Sequence, residues 1–392
     1  MYYACIVTTA RTIRSVQVSL YTDPEGRDAE ALLGAWPTLP GVAAGVARAG
    51  VGVTIVQAAT RRQTVARDGV AFHFVDGPGP VARRLPGGVP LPRRPVRILN
   101  CVASLAPDIV HIHGLQYPLA IRQLIRAVGG VPVLVQDHGV QLPRGWRRHA
   151  WQWALRDLAG VAFVAREQTR PFFEARVFRA DLPVFEVMEG SSPFTPGDQA
   201  AARAETGIGG DPCLLWTGHL NRNKDPFTAL EAFRLAAPRL PDARLWCCFG
   251  EAPLLDAVRS RIAEDHVLRP RVTLLGKHPH ADMEKLFRAA DFLVQMSHAE
   301  ASGYSLIEAL SCGTTPLVTD IPSFRRICGD GRAGSLTPVG DPWAMADAMV
   351  AYAGRDRTAL RRVARAHFEE ALSFDAIGRQ LRGAYEALLG RG

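Results

Sequence analysis

The chain has 392 residues, 47% of them apolar and 21% charged, which is room for two or three domains at roughly 100–200 residues each and too apolar for disorder. Its net charge of +8 is lopsided: residues 1–195 hold 22 Arg against 14 acids, residues 196–392 hold 24 bases against 24 acids. No run reaches the roughly 18 apolar residues of a spanning helix, and Arg11 and Arg14 break the apolar start that a cleaved signal peptide needs, so integral membrane, fibrous and disordered chains are excluded.

In the first half, short apolar, β-branched runs predict strands at 16–22, 51–58, 70–75, 108–113, 131–137 and 160–165. They are apolar throughout rather than alternating, the pattern of parallel strands covered on both faces. Residues 77–95, rich in Gly, Pro and Arg, predict a surface loop. The stretch 143–156, PRGWRRHAWQWALR, sets three Trp among four Arg at helical spacing. It reads either as a packed amphipathic helix or as a helix lying on an anionic membrane surface. A break at 190–212, with a short helix at 197–205, separates this series from a second one.

The second series has predicted strands at 213–218, 244–250, 271–276, 290–296 and 314–319, with helical patterns such as 225–237 and 282–289 between them. Strand–helix alternation predicts doubly wound parallel sheets, so the fold class is α/β with two Rossmann-like domains. The expected boundaries are 1–196, 197–372 and a final amphipathic helix within 373–392. Ligands in such sheets bind beyond the carboxyl ends of the strands, and a cleft between two such domains is expected to hold them.

Two stretches at strand ends carry chemistry. WTGHLNRNKD at 216–225 follows a predicted strand and precedes Pro226, a good first helical residue. Gly218 suits a tight turn, and His219, Arg222 and Lys224 could reach one anion. Lys224 is one of only three lysines, with Lys277 and Lys285, beside 43 arginines. Residues 297–320 predict a helix over 303–311 whose N-terminus, Ser302, Gly303, Tyr304 and Ser305, favours a phosphate, with Gly313 as its C-terminal cap. Glu300 precedes that helix and Glu308 lies on it. Carboxylates beside an anion site need other partners, and sugar hydroxyls are natural donors to them. The plain alternatives are a solvated basic loop and a helix-surface glutamate. The seven cysteines are odd in number and form no CxxC pair. They read as buried hydrophobes in a reducing compartment, so a cytoplasmic location is expected, with the inner membrane face as a peripheral site.

Together these stretches resemble the family 4 retaining glycosyltransferases of GT-B architecture. The likeness rests on Glu300-ASGYSLI-Glu308 with Cys312, Gly313 and Pro316, and on LWTGHLNRNKDPFTALEAF at 215–233. FGEAPLL at 249–255, VTLLGKHPHADMEKLFRAADFLV at 272–294, PDIVHIHG at 107–114 and PVLVQDHG at 132–139 extend it over most of 105–350.

The resemblance implies that a sugar passes from a nucleotide-diphosphate donor to an acceptor hydroxyl with retention of anomeric configuration. Glu308 would hold the ribose, Glu300 would face the donor sugar, and Lys224 would grip the diphosphate. His219 stands where the family has Arg, and a neutral His lacks that forked charge. His138 matches the histidine beside the reacting sugar, with His113 and His111 in the preceding unit. The family's Gly-rich first loop is missing at 22–46; Thr38 is instead expected to cap a helix over 40–48 facing the acceptor. No DxD motif is present, so no metal or other cofactor is expected. The expected partners are a nucleotide sugar, a carbohydrate, lipid-linked or small-molecule acceptor and an anionic membrane surface, with no nucleic acid. A catalytically silent sugar-nucleotide binder is the alternative.

Overall fold

A computed structural model of the chain describes residues 12–23, 25–76, 81–84, 90–92 and 95–390. By packing, the chain divides into two units. Unit 1 is the chain up to Phe163, Thr169–Val187 and Ile377 onward; unit 2 is Val164–Gln168 and Met188–Ala376. The boundary therefore lies at 187/188 rather than 196, and most of the last helix, Phe374–Leu388, counts with unit 1.

Unit 1 holds β1 (Arg14–Ser19), β2 (Gly52–Ala59), β3 (Gln63–Arg67), β4 (Val70–Asp76), β5 (Val81–Arg84), β6 (Pro90–Pro92), β7 (Ile109–His113), β8 (Val133–Gln136), β9 (Gly160–Phe163) and β10 (Val184–Glu186). Eight of them form a sheet in the order β10-β9-β8-β7-β1-β2-β4-β3, parallel except for the β3–β4 hairpin. Val18, Val110, Ile112, Val133, Val135 and Val161 are buried in its core. Strand order reverses between β1 and β7, whose carboxyl ends carry Ser19 and His113. The final helix joins this unit through glycine: a Cβ on Gly378 would sit 2.1 Å from the carbonyl oxygen of Gly45, so only glycine lets it lie against helix Thr38–Arg48. Arg382 Nη1 adds a 2.7 Å hydrogen bond to the Ala49 carbonyl at that helix's end.

Unit 2 holds β11 (Cys213–Gly218), β12 (Arg244–Phe249), β13 (Val272–Gly276), β14 (Phe292–Gln295), β15 (Thr315–Thr319) and β16 (Ser335–Thr337). All six are parallel, in the order β13-β12-β11-β14-β15-β16. Leu214, Trp216, Leu245, Phe292, Val294 and Leu317 fill the core. The order reverses between β11 and β14, so the loops after those two strands flank the switch point of the sheet.

Several expectations need correction. Strands β3, β10 and β16 were not expected; they are three to five residues long and mostly half-buried or exposed. Part of the expected loop at 77–95 is an antiparallel ribbon of β5 and β6; residues 77–80, 85–89 and 93–94 of that loop lie outside the described residues. Thr38 caps nothing. Pro37, with φ −69°, already lies in helical conformation at the cap position, so Thr38 is the first helical residue. Helix Trp146–Leu155 buries Trp151 but leaves Trp146 and Trp153 exposed, with the Arg122 guanidinium 4.5 Å from the Trp153 ring. Among the described residues, no helix is long and apolar enough to cross a membrane.

Candidate functional site

The loop after β11 runs from His219 to Asp225 and leads into helix Pro226–Ala236. Asp225 caps that helix, its carboxylate accepting from the Thr228 N–H at 3.2 Å and the Thr228 hydroxyl at 2.6 Å. Asn221 Oδ1 accepts from the Lys224 N–H at 3.0 Å, which curls the loop and turns the lysine inward. Asn223 clamps this loop to the one after β14: its side chain donates to the Ala299 carbonyl (2.9 Å) and accepts from the Ala299 N–H (3.2 Å), while its carbonyl accepts from the His298 N–H (2.8 Å).

That clamp places Lys224 Nζ 2.5 Å from Glu300 Oε1, an ion pair in which both side chains are largely covered. The loop continues to Gly303, which has φ +105° and enters helix Tyr304–Ser311. A Cβ there would meet the Phe324 ring at 2.7 Å, so glycine is required twice, by conformation and by space. The first intrahelical bonds run from the Leu306 and Ile307 N–H groups to the Gly303 carbonyl. The N–H groups of Tyr304 and Ser305 thus precede the ladder at the positive end of the helix. The helix ends on Gly313 at φ +80°, with Thr314 N–H bonded to Ala309 and Gly313 N–H to Leu310.

Gly218, His219, Lys224, Glu300, Ser302, Gly303, Tyr304, Ser305 and Glu308 all line one cavity of about 670 Å³ within unit 2. Arg222 does not; it is exposed. His219 Nδ1 accepts from the Glu251 N–H at 3.0 Å, so the neutral ring carries its proton on Nε2. Glu308 is almost covered, and burial raises its carboxyl above the usual carboxylate range; the hydrogen bond with His280, Nε2 to Oε1 at 2.6 Å, partly counters that. His280 packs on Phe194, ring centroids 5.1 Å apart.

Sequence reasoning missed Lys277, His278, His280, Met283, Cys248 and Phe249 as lining residues. For Lys277 a signal existed: two of the three lysines line this cavity, while the third, Lys285, pairs with Glu205 at 2.9 Å. Among the described residues no group of three or more His, Cys, Asp and Glu could hold a metal ion.

In unit 1 the predicted histidines meet one another. His113 ends β7, and His138 follows β8 in a turn where the Asp137 carboxylate accepts from the Gly139 (2.9 Å) and Val140 (3.1 Å) N–H groups. His113 Nδ1 lies 3.4 Å from His138 Nε2. His111 is fully buried, and desolvation, with like-charge repulsion from His138 second, pushes its pKa down to about 3.

Comparison with known proteins covers both units. The family described as Glycosyl transferases group 1 matches residues 198–364, and Glycosyltransferase Family 4 matches 41–170. A D-inositol 3-phosphate glycosyltransferase of Mycobacterium sp. (strain JLS) is 30% identical over 44% of this chain, which spans 40% of that relative. A GDP-mannose:cellobiosyl-diphosphopolyprenol alpha-mannosyltransferase of Xanthomonas campestris is 25% identical over 65% of the chain and 67% of its own length. Among solved structures, a glycosyltransferase from Rickettsia africae ESF-5 superposes with a TM-score of 0.67 at 16% identity, covering 97% of this chain and all of the other. Anabaena Alr3699/HepE in complex with UDP gives 0.64 at 16%, covering 96% and 100%. The fold is thus of the GT-B class.

Proposed function

We infer from the chain's membership of the group 1 and family 4 glycosyltransferases that it moves a sugar from a nucleotide-diphosphate donor to an acceptor hydroxyl. The observation that carries this reading is the meeting, in one cavity, of a lysine, a helix N-terminus and two carboxylates of different surroundings. Lys224, the Nε2–H of His219 and the N–H groups of Tyr304 and Ser305 stabilise the negative charge that builds on the departing diphosphate. Buried Glu308 accepts hydroxyls of the ribose, and Glu300, released from Lys224 as the diphosphate takes that cation, accepts hydroxyls of the sugar. The acceptor side belongs to unit 1 and His138. UDP and UDP-glucose in the Anabaena complexes support a nucleoside diphosphate as the common portion of the donor.

The test is a thermal-shift panel of UDP, GDP, ADP and TDP on the full chain and on Lys224→Ala and Glu308→Ala. A ligand at about 100 times its Kd adds roughly 2.7 kcal/mol, on the order of 5–10 °C for a unit of this size. One nucleotide should shift the melting point, and both variants should lose the shift. No shift with any nucleotide would overturn the reading; binding without transfer to any acceptor or to water would leave a silent binder.

We further propose that transfer retains the anomeric configuration and needs no divalent metal. NMR of a product made in EDTA checks both. An inverted anomer, or activity abolished by EDTA and restored by manganese, would contradict one or the other.

An acceptor embedded in a membrane fits the exposed face of helix Trp146–Leu155, where Trp146 stands beside exposed Arg144, Arg147 and Arg148. Such a face can seat its indole at an interface while the arginines meet anionic headgroups. The chain should float with acidic liposomes and not with neutral ones, and Trp146→Ala with Arg147→Ala should weaken flotation. Equal recovery on both liposome types would remove the idea.

A further inference from the structure

The buried polar groups of unit 1 form a connected chain. The Gln17 Nε2–H donates to the Tyr385 hydroxyl at 3.4 Å. The Tyr385 hydroxyl also lies 2.8 Å from His111 Nδ1. Gln17 Oε1 accepts from His113 Nε2 at 3.2 Å. His113 Nδ1 then faces His138 Nε2 at 3.4 Å. Gln17, His111 and Tyr385 have no accessible surface, so these groups have no water to substitute for a wrong partner.

The direction is set at Gln17, whose Oε1 can only accept. Burial lowers the pKa of both His111 and His113, so each is neutral near pH 7 and holds a single N–H. With its proton on Nε2 for Gln17, His113 can only accept at Nδ1, and what it accepts is the Nε2 proton of His138.

We propose that Tyr385, Gln17 and His113 are positioning residues that fix the proton of the exposed His138 imidazole on Nε2. The final helix then does more than close unit 1: through Tyr385 and Gln17 it sets which nitrogen of His138 carries the proton. The effect on activity rests on the glycosyl-transfer reading; the tautomer does not.

Long-range 1H–15N correlation spectra of the histidine rings of the full chain test this. His138 should show the Nε2–H tautomer in about tenfold excess or more, the ratio that one net hydrogen bond supports, with a slowly exchanging N–H. In Tyr385→Phe and Gln17→Leu the ratio should fall to the lesser bias of free imidazole. The nucleotide-induced thermal shift should be unaltered, because none of these residues lines the cavity of unit 2. If the chain transfers sugar, kcat should fall several-fold in both variants while the KM for the donor holds. An Nδ1–H tautomer at His138 would mean that the relay runs the other way and would overturn the proposal. So would a ratio unmoved in Tyr385→Phe, which keeps the buried ring and carries the test if Gln17→Leu fails to fold. A lost nucleotide shift in the wild-type chain would strike the donor reading and leave the tautomer untouched.

Discussion

Glu308 sits under two opposed demands. Burial raises its carboxyl pKa, which favours the neutral acid, whereas accepting two hydroxyls needs the carboxylate. His280 tips the balance by donating from Nε2 at 2.6 Å. Glu308→Gln should weaken nucleoside diphosphate binding roughly ten- to a hundredfold, the value of a charge-assisted hydrogen bond. His280→Ala should act differently: with the countering bond gone, the carboxyl pKa rises further and the carboxylate is lost at a higher pH. Affinity in the wild-type chain should fall as pH drops toward the raised pKa of Glu308, and in His280→Ala the same fall should begin at a higher pH. Titration calorimetry across a pH series checks both. Superimposable pH profiles would show that His280 does not hold the charge of Glu308.

Elements differ in how plainly the sequence announces them, and the reason is burial. Strands β11, β14 and β15 read as continuous apolar runs because neighbouring strands and helices cover them on both faces. β3, at the edge of its sheet, alternates exposed and half-buried residues over QTVAR and offers no such run. Helix Pro226–Ala236 was legible from Pro226, and helix Tyr304–Ser311 from Gly303 and Gly313, since capping leaves local marks. The cavity was half legible on the same principle. Lys224 and Glu300 lie in the loops after β11 and β14, and Glu308 on the helix that follows the second loop, beyond the carboxyl ends of strands where α/β sheets bind ligands. Arg222 shares the first loop, yet the inward curl made by Asn221 and Lys224 leaves it outside. His280 could not be assigned to Glu308 from spacing, because their contact joins separate helices and depends on tertiary packing alone.

Across the whole molecule, buried neutral histidines link stability to acid. His111, with its pKa lowered to about 3, is joined by His113, lowered by desolvation in the same unit, and by His367 in unit 2, lowered first by burial. A histidine whose folded pKa is depressed contributes stability that is complete above its ordinary 6.5 and is lost as pH falls toward the folded value, because only the unfolded chain takes the proton. For His111 alone the loss is about 2 kcal/mol by about pH 5. Depressed carboxylates do not confuse this window. Asp157, held down by its hydrogen bond from Arg122, and Glu231, held down by that from Arg234, surrender their share only below their ordinary 3.8 and 4.5. The melting temperature of unit 1 should therefore drop by roughly 4–8 °C between about pH 7.5 and pH 5 from His111, and His113 adds to it. His111→Gln should melt lower at neutral pH but lose clearly less on acidification, since it removes the group that the unfolded chain protonates. Scanning calorimetry at the two pH values decides the matter. A melting temperature flat across that range, or an equal drop in the variant, would mean that these imidazoles are not buried neutral in solution.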